Sequence, residues 1–235
     1  MKGILHIIGA GPGDPELLTI KAFHVLTENT DVVAYPGSAP CTGTAFQIVS
    51  QSVPAIKDKE QLPLSFPMSE DPETLSDAHT AAVRQVKDKL DAGKNVSFLT
   101  LGDPSIYSTA SFLLEPIRTD GYEVRIISGV PSFCAGAAKL LMPLVSGNEP
   151  VQIFPSEDFD LSFPGTLILL KVGRHLAQTK QKISDCGRTA YLIENCGLPG
   201  ERLYRSLQEM PEKTGYFSLI IVKQEKSLAD TERGR

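Results

Sequence analysis

The chain has 235 residues, enough for two domains that each bury a core. Hydrophobic residues make up 41% and charged residues 22%, the balance of a globular protein rather than of a disordered or fibrous one. The net charge is −5 without a basic block, which argues against a nucleic-acid partner, because phosphate binding needs a clustered Lys/Arg face. An anionic small molecule stays admissible where a few basic side chains line one cleft. The four cysteines, Cys41, Cys134, Cys186 and Cys196, form no CxxC pair and fit no zinc spacing. Free thiols in a reducing compartment are the simplest reading, and they point to the cytoplasm. The N-terminal run lacks the apolar length and cleavage site of a signal peptide. No stretch approaches the ~20 apolar residues of a membrane helix, so no membrane association is expected.

In chain order, residues 4–8 form a short apolar strand ending in a glycine turn. A helix is expected over 15–28, with Leu17, Leu18, Ala22, Val25 and Leu26 on one side. A strand follows at 31–35 and a helix at 43–50. Residues 54–72 carry four prolines and read as a long ordered loop or flap. A longer helix covers 72–92, with Asp71 as its cap and Gly93 just past its end. Next come a strand at 95–101, a helix at 106–118, a strand at 123–127 and a small-residue helix at 132–141. This alternation implies an α/β fold with a mostly parallel sheet covered on both faces. The loop formers of 142–150 place a domain boundary there, giving α/β domains over 1–143 and 144–235. In the second, strands are expected at 151–154, 166–171, 189–194 and 217–222, helices at 174–184 and 200–208, and a frayed tail after Lys223.

Three strand-to-helix turns carry the chemistry. Residues 9–16, GAGPGDPE, resemble a dinucleotide loop, but the third glycine comes one residue too early for GxGxxG. Asp14 caps the following helix where a pyrophosphate would sit, and two anions would repel. The motif is then either a turn that approaches a ligand without gripping phosphate or a tight turn with an Asp cap. Residues 101–109, LGDPSIYST, repeat the logic: apolar strand, Gly102, Asp103 as cap, Pro104, then a helix whose first turn offers the hydroxyls of Tyr107, Ser108 and Thr109. Residues 128–133, SGVPSF, form the third turn. Turns at the carboxyl ends of strands are where open α/β sheets bind ligands. A sulfonium cation, an amino group and a ribose suit these turns, and a diphosphate does not. In the second half, KVG (171–173) and ENCGLPG (194–200) also end apolar strands, followed by Arg174, Arg202 and Arg205, which either hold acidic substrate groups or are solvated. His6, His24, His79 and His175 show no metal spacing, and no protein metal site is expected.

Five segments, GAGPGDPELLTIKA, DVVAYPGS, FLTLGDPSIYST, ISGVPSF and ENCGLPGERLYRSL, resemble the tetrapyrrole methylases, in this order and across nearly the whole chain. Residues 34–38, residues 64–68 and the stretch 194–222 resemble the precorrin-2 C(20)-methyltransferase branch. The first loop resembles the carbon-11 branch equally well. The resemblance implies two lobes, a homodimer, and S-adenosylmethionine bound between the lobes, with S-adenosylhomocysteine as product. It places cofactor contacts at Pro12, Leu101, Gly102, Asp103, Ile106, Pro131 and Ser132, and in the second domain at Val172 and Cys196. The family often has methionine and glycine at those last two positions. The implied substrate is a tetrapyrrole, precorrin-2 or cobalt-factor II, methylated at a nucleophilic meso carbon. Asp103, near the cofactor's cation or amino group, and Tyr107, positioning the substrate, are the candidate catalytic residues. Rival readings are methylation at another ring position, a binding protein that does not react, and a nucleotide-dependent oxidoreductase with an altered loop. Against the oxidoreductase stand Asp14 and the missing ribose-binding acid, since Asp31 ends a loop rather than a second strand.

Overall fold

The computed structural model describes residues 1–67, 69, 71–155 and 158–224, except for the side chain of Arg174. The chain forms two compact units, one over Met1–Pro131 and the other beginning at Ser132. The first contains β1 (Leu5–Gly9), α1 (Ile20–Glu28), β2 (Val32–Pro36), α2 (Thr44–Ser52), β3 (Glu60–Leu64), α3 (Pro72–Asp91), β4 (Val96–Thr100), α4 (Ser111–Thr119) and β5 (Val124–Ile127). Its sheet runs in the order β3-β2-β4-β1-β5, and every pairing is parallel. Alternation along the strands sends side chains to both faces. Leu5, Ile7, Val96 and Phe98 pack with Val86 and Leu90 of α3 and with Leu113 and Ile117 of α4. Ile8, Val33, Tyr35 and Leu99 pack on the other face with Leu26 of α1 and with Phe46 and Val49 of α2. The inner strands β1, β2 and β4 are buried on both faces, as a parallel sheet requires, and the parallel pairing of β4, β1 and β5 puts their carboxyl ends side by side at one edge.

The second unit contains α5 (Ser132–Lys139), β6 (Val151–Phe154), β7 (Thr166–Leu170), α6 (Leu176–Asp185), β8 (Thr189–Glu194), β9 (Arg202–Tyr204) and β10 (Ser218–Lys223). The sheet order is β6-β7-β10-β8-β9, with β6 and β7 parallel and the other pairs antiparallel. Leu167, Leu169, Leu192, Ile220 and Val222 pack on one face with Leu176 and Ile183 of α6. On the other face α5 approaches closely through Gly136, where a Cβ would stand 3.2 Å from Cγ1 of Ile193. That contact ties the small-residue helix to the second unit, so the contacts divide the chain earlier than the loop formers of 142–150 suggest.

Several elements differ from the sequence expectation. The first helix is broken: Asp14 caps a short 3-10 turn over Pro15–Leu17, and Thr19 caps α1 by accepting from the amide of Ala22. Residues 54–72 are not a plain loop, because a 3-10 turn at Pro54–Asp58 leads into β3. Pro63 within a strand is tolerated because β3 lies at the sheet edge. The expected helix at 200–208 is instead β9, paired with β8 through Leu203 and Ile193. The fourth helix begins at Ser111, not Ile106. The expected frayed tail lies outside the described residues.

His6 in β1 is 2% exposed, and its Nδ1 has no hydrogen-bond partner among the described residues. Burial, aided by the charge of Arg125 and opposed by Glu123, lowers its pKa below the ordinary 6.5. The folded chain therefore holds a neutral imidazole. The associated stability is complete above 6.5 and is lost as pH falls through the lowered folded value, because the unfolded chain takes up the proton first. In His6→Leu, the drop in unfolding temperature between about pH 7 and about pH 5 is expected to be shallower than in the wild type, followed by circular dichroism. Equal slopes would mean that His6 does not contribute.

Candidate functional site

The ends of β1, β4 and β5 converge through backbone contact. Gly11 and Gly102 form an antiparallel bridge, the Gly102 amide donating to the Gly11 carbonyl at 2.8 Å and the reverse bond measuring 3.3 Å. A Cβ on Gly9 would stand 2.6 Å from both the Gly102 carbonyl oxygen and the Gly129 Cα, so no side chain fits there. The three glycine turns that the sequence places far apart thus meet at the carboxyl edge of one sheet. Thr19 adds a tie, its hydroxyl donating to the Ser128 carbonyl at 3.3 Å.

Asp103 holds this meeting point. One carboxylate oxygen accepts from the Ser105 amide at 2.8 Å and from the Ser105 hydroxyl, and the other accepts from the Gly129 amide at 2.9 Å. The side chain is 9% exposed. Burial is the largest single influence on its pKa and works against ionisation, but the hydrogen bonds from Ser105, Gly129 and Ser128 outweigh it and hold the carboxyl below its ordinary value. Asp103 is an ionised carboxylate that joins the second turn to the third; it caps a turn rather than the first turn of a helix.

That turn also changes the reading of Tyr107, Ser108 and Thr109, which precede α4 instead of opening it. Ser108 hydrogen-bonds Thr100 at 2.8 Å and accepts from the Ala110 amide at 3.1 Å. Tyr107 has a left-handed backbone, φ 45°, and is half exposed. A tyrosine held there costs about 1 kcal/mol or more, and strain of this kind concentrates at sites where the chain meets a ligand. Ile106 donates its amide to the Asp103 carbonyl at 3.2 Å. A Cβ on Gly102, which has φ 66°, would meet nothing nearer than the Pro131 Cα at 4.0 Å, so this side of the turn is open. Pro12 is buried, whereas Leu101, Gly102, Ile106 and Pro131 are half-buried. The first unit therefore brings Pro12, Leu101, Gly102, Asp103, Ile106 and Pro131 to one edge.

Ser132 opens α5 in the second unit. Val172 and Cys196, both buried, lie at one end of that unit's sheet. Lys171 and Asn195, directly before them, are left-handed with φ 58° and 50°. Their amides donate to Ser218 at 3.0 Å and to Phe217 at 2.7 Å, so β7 and β8 end on either side of the start of β10. The backbone at 172–173 is crowded by Gly215, so Gly173 has no room for a side chain. Arg205 donates to the Leu140 carbonyl at 2.9 Å, which commits its guanidinium to the unit's own backbone. Arg202 is exposed, and its hydrogen bond with Tyr204 raises its pKa. The side chain of Arg174 lies outside the described residues. Sequence reasoning missed Ser105, Ser128 and Gly129 as partners of Asp103; the serine two residues after the aspartate was the available signal. Among the described residues, no group of three or more His, Cys, Asp or Glu side chains is arranged to hold a metal ion, and no helix is long and apolar enough to cross a membrane.

Comparison with known proteins agrees with this architecture. A cobalt-precorrin-2 C(20)-methyltransferase of Salmonella typhimurium is 30% identical over 98% of this chain and 100% of its own length. A probable cobalt-precorrin-2 C(20)-methyltransferase of Methanocaldococcus jannaschii is 33% identical over 93% of this chain and 95% of its own. A uroporphyrin-III C-methyltransferase from Thermus thermophilus, solved with S-adenosyl homocysteine, shares the fold at TM-score 0.66 and 22% identity, covering 94% of this chain and 97% of that one. The model of the Tetrapyrrole (Corrin/Porphyrin) Methylases matches residues 4–211, and with glycine turns at three adjacent strand ends joined through one carboxylate, this chain belongs to that family of methyltransferases.

Proposed function

We propose that the chain transfers the methyl group of S-adenosylmethionine to the C-20 meso carbon of precorrin-2 or of cobalt-factor II, in the synthesis of cobalamin. The observation that carries this reading is the end-to-end match with relatives named for that reaction. The turns fit a cationic donor better than a diphosphate: residues 9–16, 101–109 and 127–131 contain no lysine or arginine, and they contain Asp14 and Asp103. The open side of Gly102 next to Pro131 leaves room for a ligand against the backbone. Pro12, Leu101, Gly102, Asp103, Ile106 and Pro131 in the first unit, with Ser132, Val172 and Cys196 in the second, are the proposed contacts. A homodimer in the cytoplasm is the proposed state, on the strength of the family resemblance and of four cysteines that form no disulfide.

S-adenosylmethionine, when bound, supplies an electrophilic methyl group on a sulfonium and is released as S-adenosylhomocysteine. The conjugated pyrroles make the meso carbon nucleophilic, so no side chain has to act as a strong base before the carbon–carbon bond forms; the displaced meso proton passes to solvent. What the chain supplies is orientation, which contributes roughly 7–11 kcal/mol when the geometry is held. Asp103 acts by fixing the second and third turns against each other. Tyr107, half exposed at the same edge, is the proposed positioning group for the macrocycle.

Calorimetry with S-adenosylhomocysteine is expected to show binding near the micromolar range, about −8 kcal/mol, and no response to NAD. A response to NAD alone would favour the oxidoreductase. Gly102→Ala places a methyl group on the open side of a left-handed residue, and its S-adenosylhomocysteine affinity is expected to fall about tenfold. Asp103→Asn puts an amide N–H where an amide donor is already aimed. It is expected to lose roughly 1–3 kcal/mol of stability. It should also lose part of the acid sensitivity of unfolding, since the depressed carboxyl stabilises the fold above its ordinary value of 3.8 and ceases to do so as pH falls through the folded value. Wild-type ligand affinity and full activity in Asp103→Asn would remove it from the site. Mass spectrometry of reactions with metal-free precorrin-2 and with cobalt-factor II tests the activity itself; methylation of neither, with transfer to a carbon-11 substrate, would move the chain to another branch.

A further inference from the structure

We infer that Lys171 receives a carboxylate of the anionic tetrapyrrole, with Tyr216 as the ring that orients it. This rests on the reading of the chain as a tetrapyrrole methyltransferase and assigns a substrate contact in the second unit.

Lys171 stands at the end of β7, directly before Val172, in a left-handed conformation with φ 58°. A residue with a Cβ is disfavoured there by roughly 1 kcal/mol or more, and glycine would serve the turn better. The turn is nevertheless well fixed, by the Lys171 amide donating to Ser218 at 3.0 Å and by the close approach of Gly173 to Gly215. The ammonium lies 5.8 Å from the centre of the Tyr216 ring. A cation over an aromatic face is steered by the ring, and it keeps its charge for a further partner. No carboxylate lies within ion-pair distance of it among the described residues. Lys139 and Lys223 of the same unit, by contrast, are paired with Glu201 at 3.0 Å and Glu149 at 2.8 Å. Tyr216 is 50% exposed and Phe217 39%, and the two rings meet edge to face with centroids 5.3 Å apart. Large exposed aromatics beside an unpaired cation form a surface suited to a flat, apolar ring system with acidic arms. In a chain of net charge −5, a cation with no ion-pair partner among the described residues, at the strand end that carries Val172, is a local attraction for such a ligand. An ordinary solvated lysine would need neither the left-handed backbone nor the aromatic neighbour.

The test uses the full chain and two readouts. Lys171→Gln is expected to raise KM for precorrin-2 about five- to tenfold, the scale of losing one charge-assisted hydrogen bond near solvent. Its affinity for S-adenosylhomocysteine should be unchanged and Lys171→Arg should remain near wild type. Binding of uroporphyrin I, a stable octacarboxylate porphyrin, followed by fluorescence quenching, should weaken by the same factor in Lys171→Gln, and Tyr216→Ala should reproduce much of that loss. Unchanged KM and porphyrin affinity in Lys171→Gln would overturn the assignment. So would a parallel loss of S-adenosylhomocysteine affinity and thermal stability, which would mark Lys171 as a part of the turn alone. If the wild type methylates neither form of the substrate yet binds uroporphyrin in a Lys171-dependent way, the activity reading fails and the carboxylate contact stands.

Discussion

The Asp103 carboxylate bridges two turns whose backbones already nearly touch at the ends of adjacent strands, and it pairs the polar groups that this contact leaves over. Three parallel strands end side by side, and each ends in backbone groups that no sheet ladder satisfies. A buried polar group without a partner costs about 1–3 kcal/mol, so these ends must be paired or wet. The chain pairs them: the Gly11 and Gly102 amides and carbonyls bond each other, and the Gly129 amide turns to Asp103. The pairing demands that the backbones nearly touch, which explains why Gly9 and Gly129 have no room for a Cβ. An anion at this point also sets the local field of the turns. The edge that in a dinucleotide-binding sheet would receive phosphate is here already supplied with negative charge, and a positively charged ligand group meets a complementary field.

The second unit solves its strand ends differently. Its sheet is mostly antiparallel, and β7 and β8 both finish beside the start of β10. Each strand leaves the sheet through a left-handed residue, Lys171 or Asn195, and the following residue is buried. Asparagine tolerates that conformation through local hydrogen bonding, and its side-chain amide does donate to the Gly200 carbonyl at 3.3 Å. Lysine has no such compensation. The two turns therefore share a backbone solution but not a chemistry, and the difference falls on a residue with a mobile charge.

Much of the first unit is legible in the sequence because its strands are buried on both faces and read as continuous apolar runs. Residues 5–9, 32–36 and 96–100 are examples. The glycine turns were legible as motifs, since Gly and Asp-Pro punctuate the chain wherever a strand gives way to a helix. Their convergence was not, because contact between Gly9, Gly102 and Gly129 depends on strand order, and a strand order of 3-2-4-1-5 cannot be read from local pattern. Three elements went astray for local reasons. β3 carries Pro63 and little apolar periodicity, and it is held by its edge pairing to β2. β9 has the composition of a helix start after Gly200, but pairing with β8 overrides that propensity. The helix after Pro104 is delayed because Asp103 and Ser108 spend their side chains on nearby backbone amides, the competition that makes such residues poor helix interiors and good turns.

That last error bears on the chemistry. A helix beginning at Ile106 would have pointed its first-turn amides at the ligand and made the second turn an anion site by its dipole. With the helix starting at Ser111, residues 103–110 form a separate turn, and the positive end of α4 is set back from the strand edge. The Asp103 charge is balanced by the Ser105 and Gly129 amides instead of by a helix terminus. The turn is consequently a short-range device: the donors around Asp103 are spent on its carboxylate, and what the turn presents is an open glycine face and a half-exposed tyrosine in a left-handed conformation. A methyl donor bearing a sulfonium needs shape and a compatible field more than it needs an anion-binding helix terminus, and a turn built around an ionised carboxylate is suited to supply those two things.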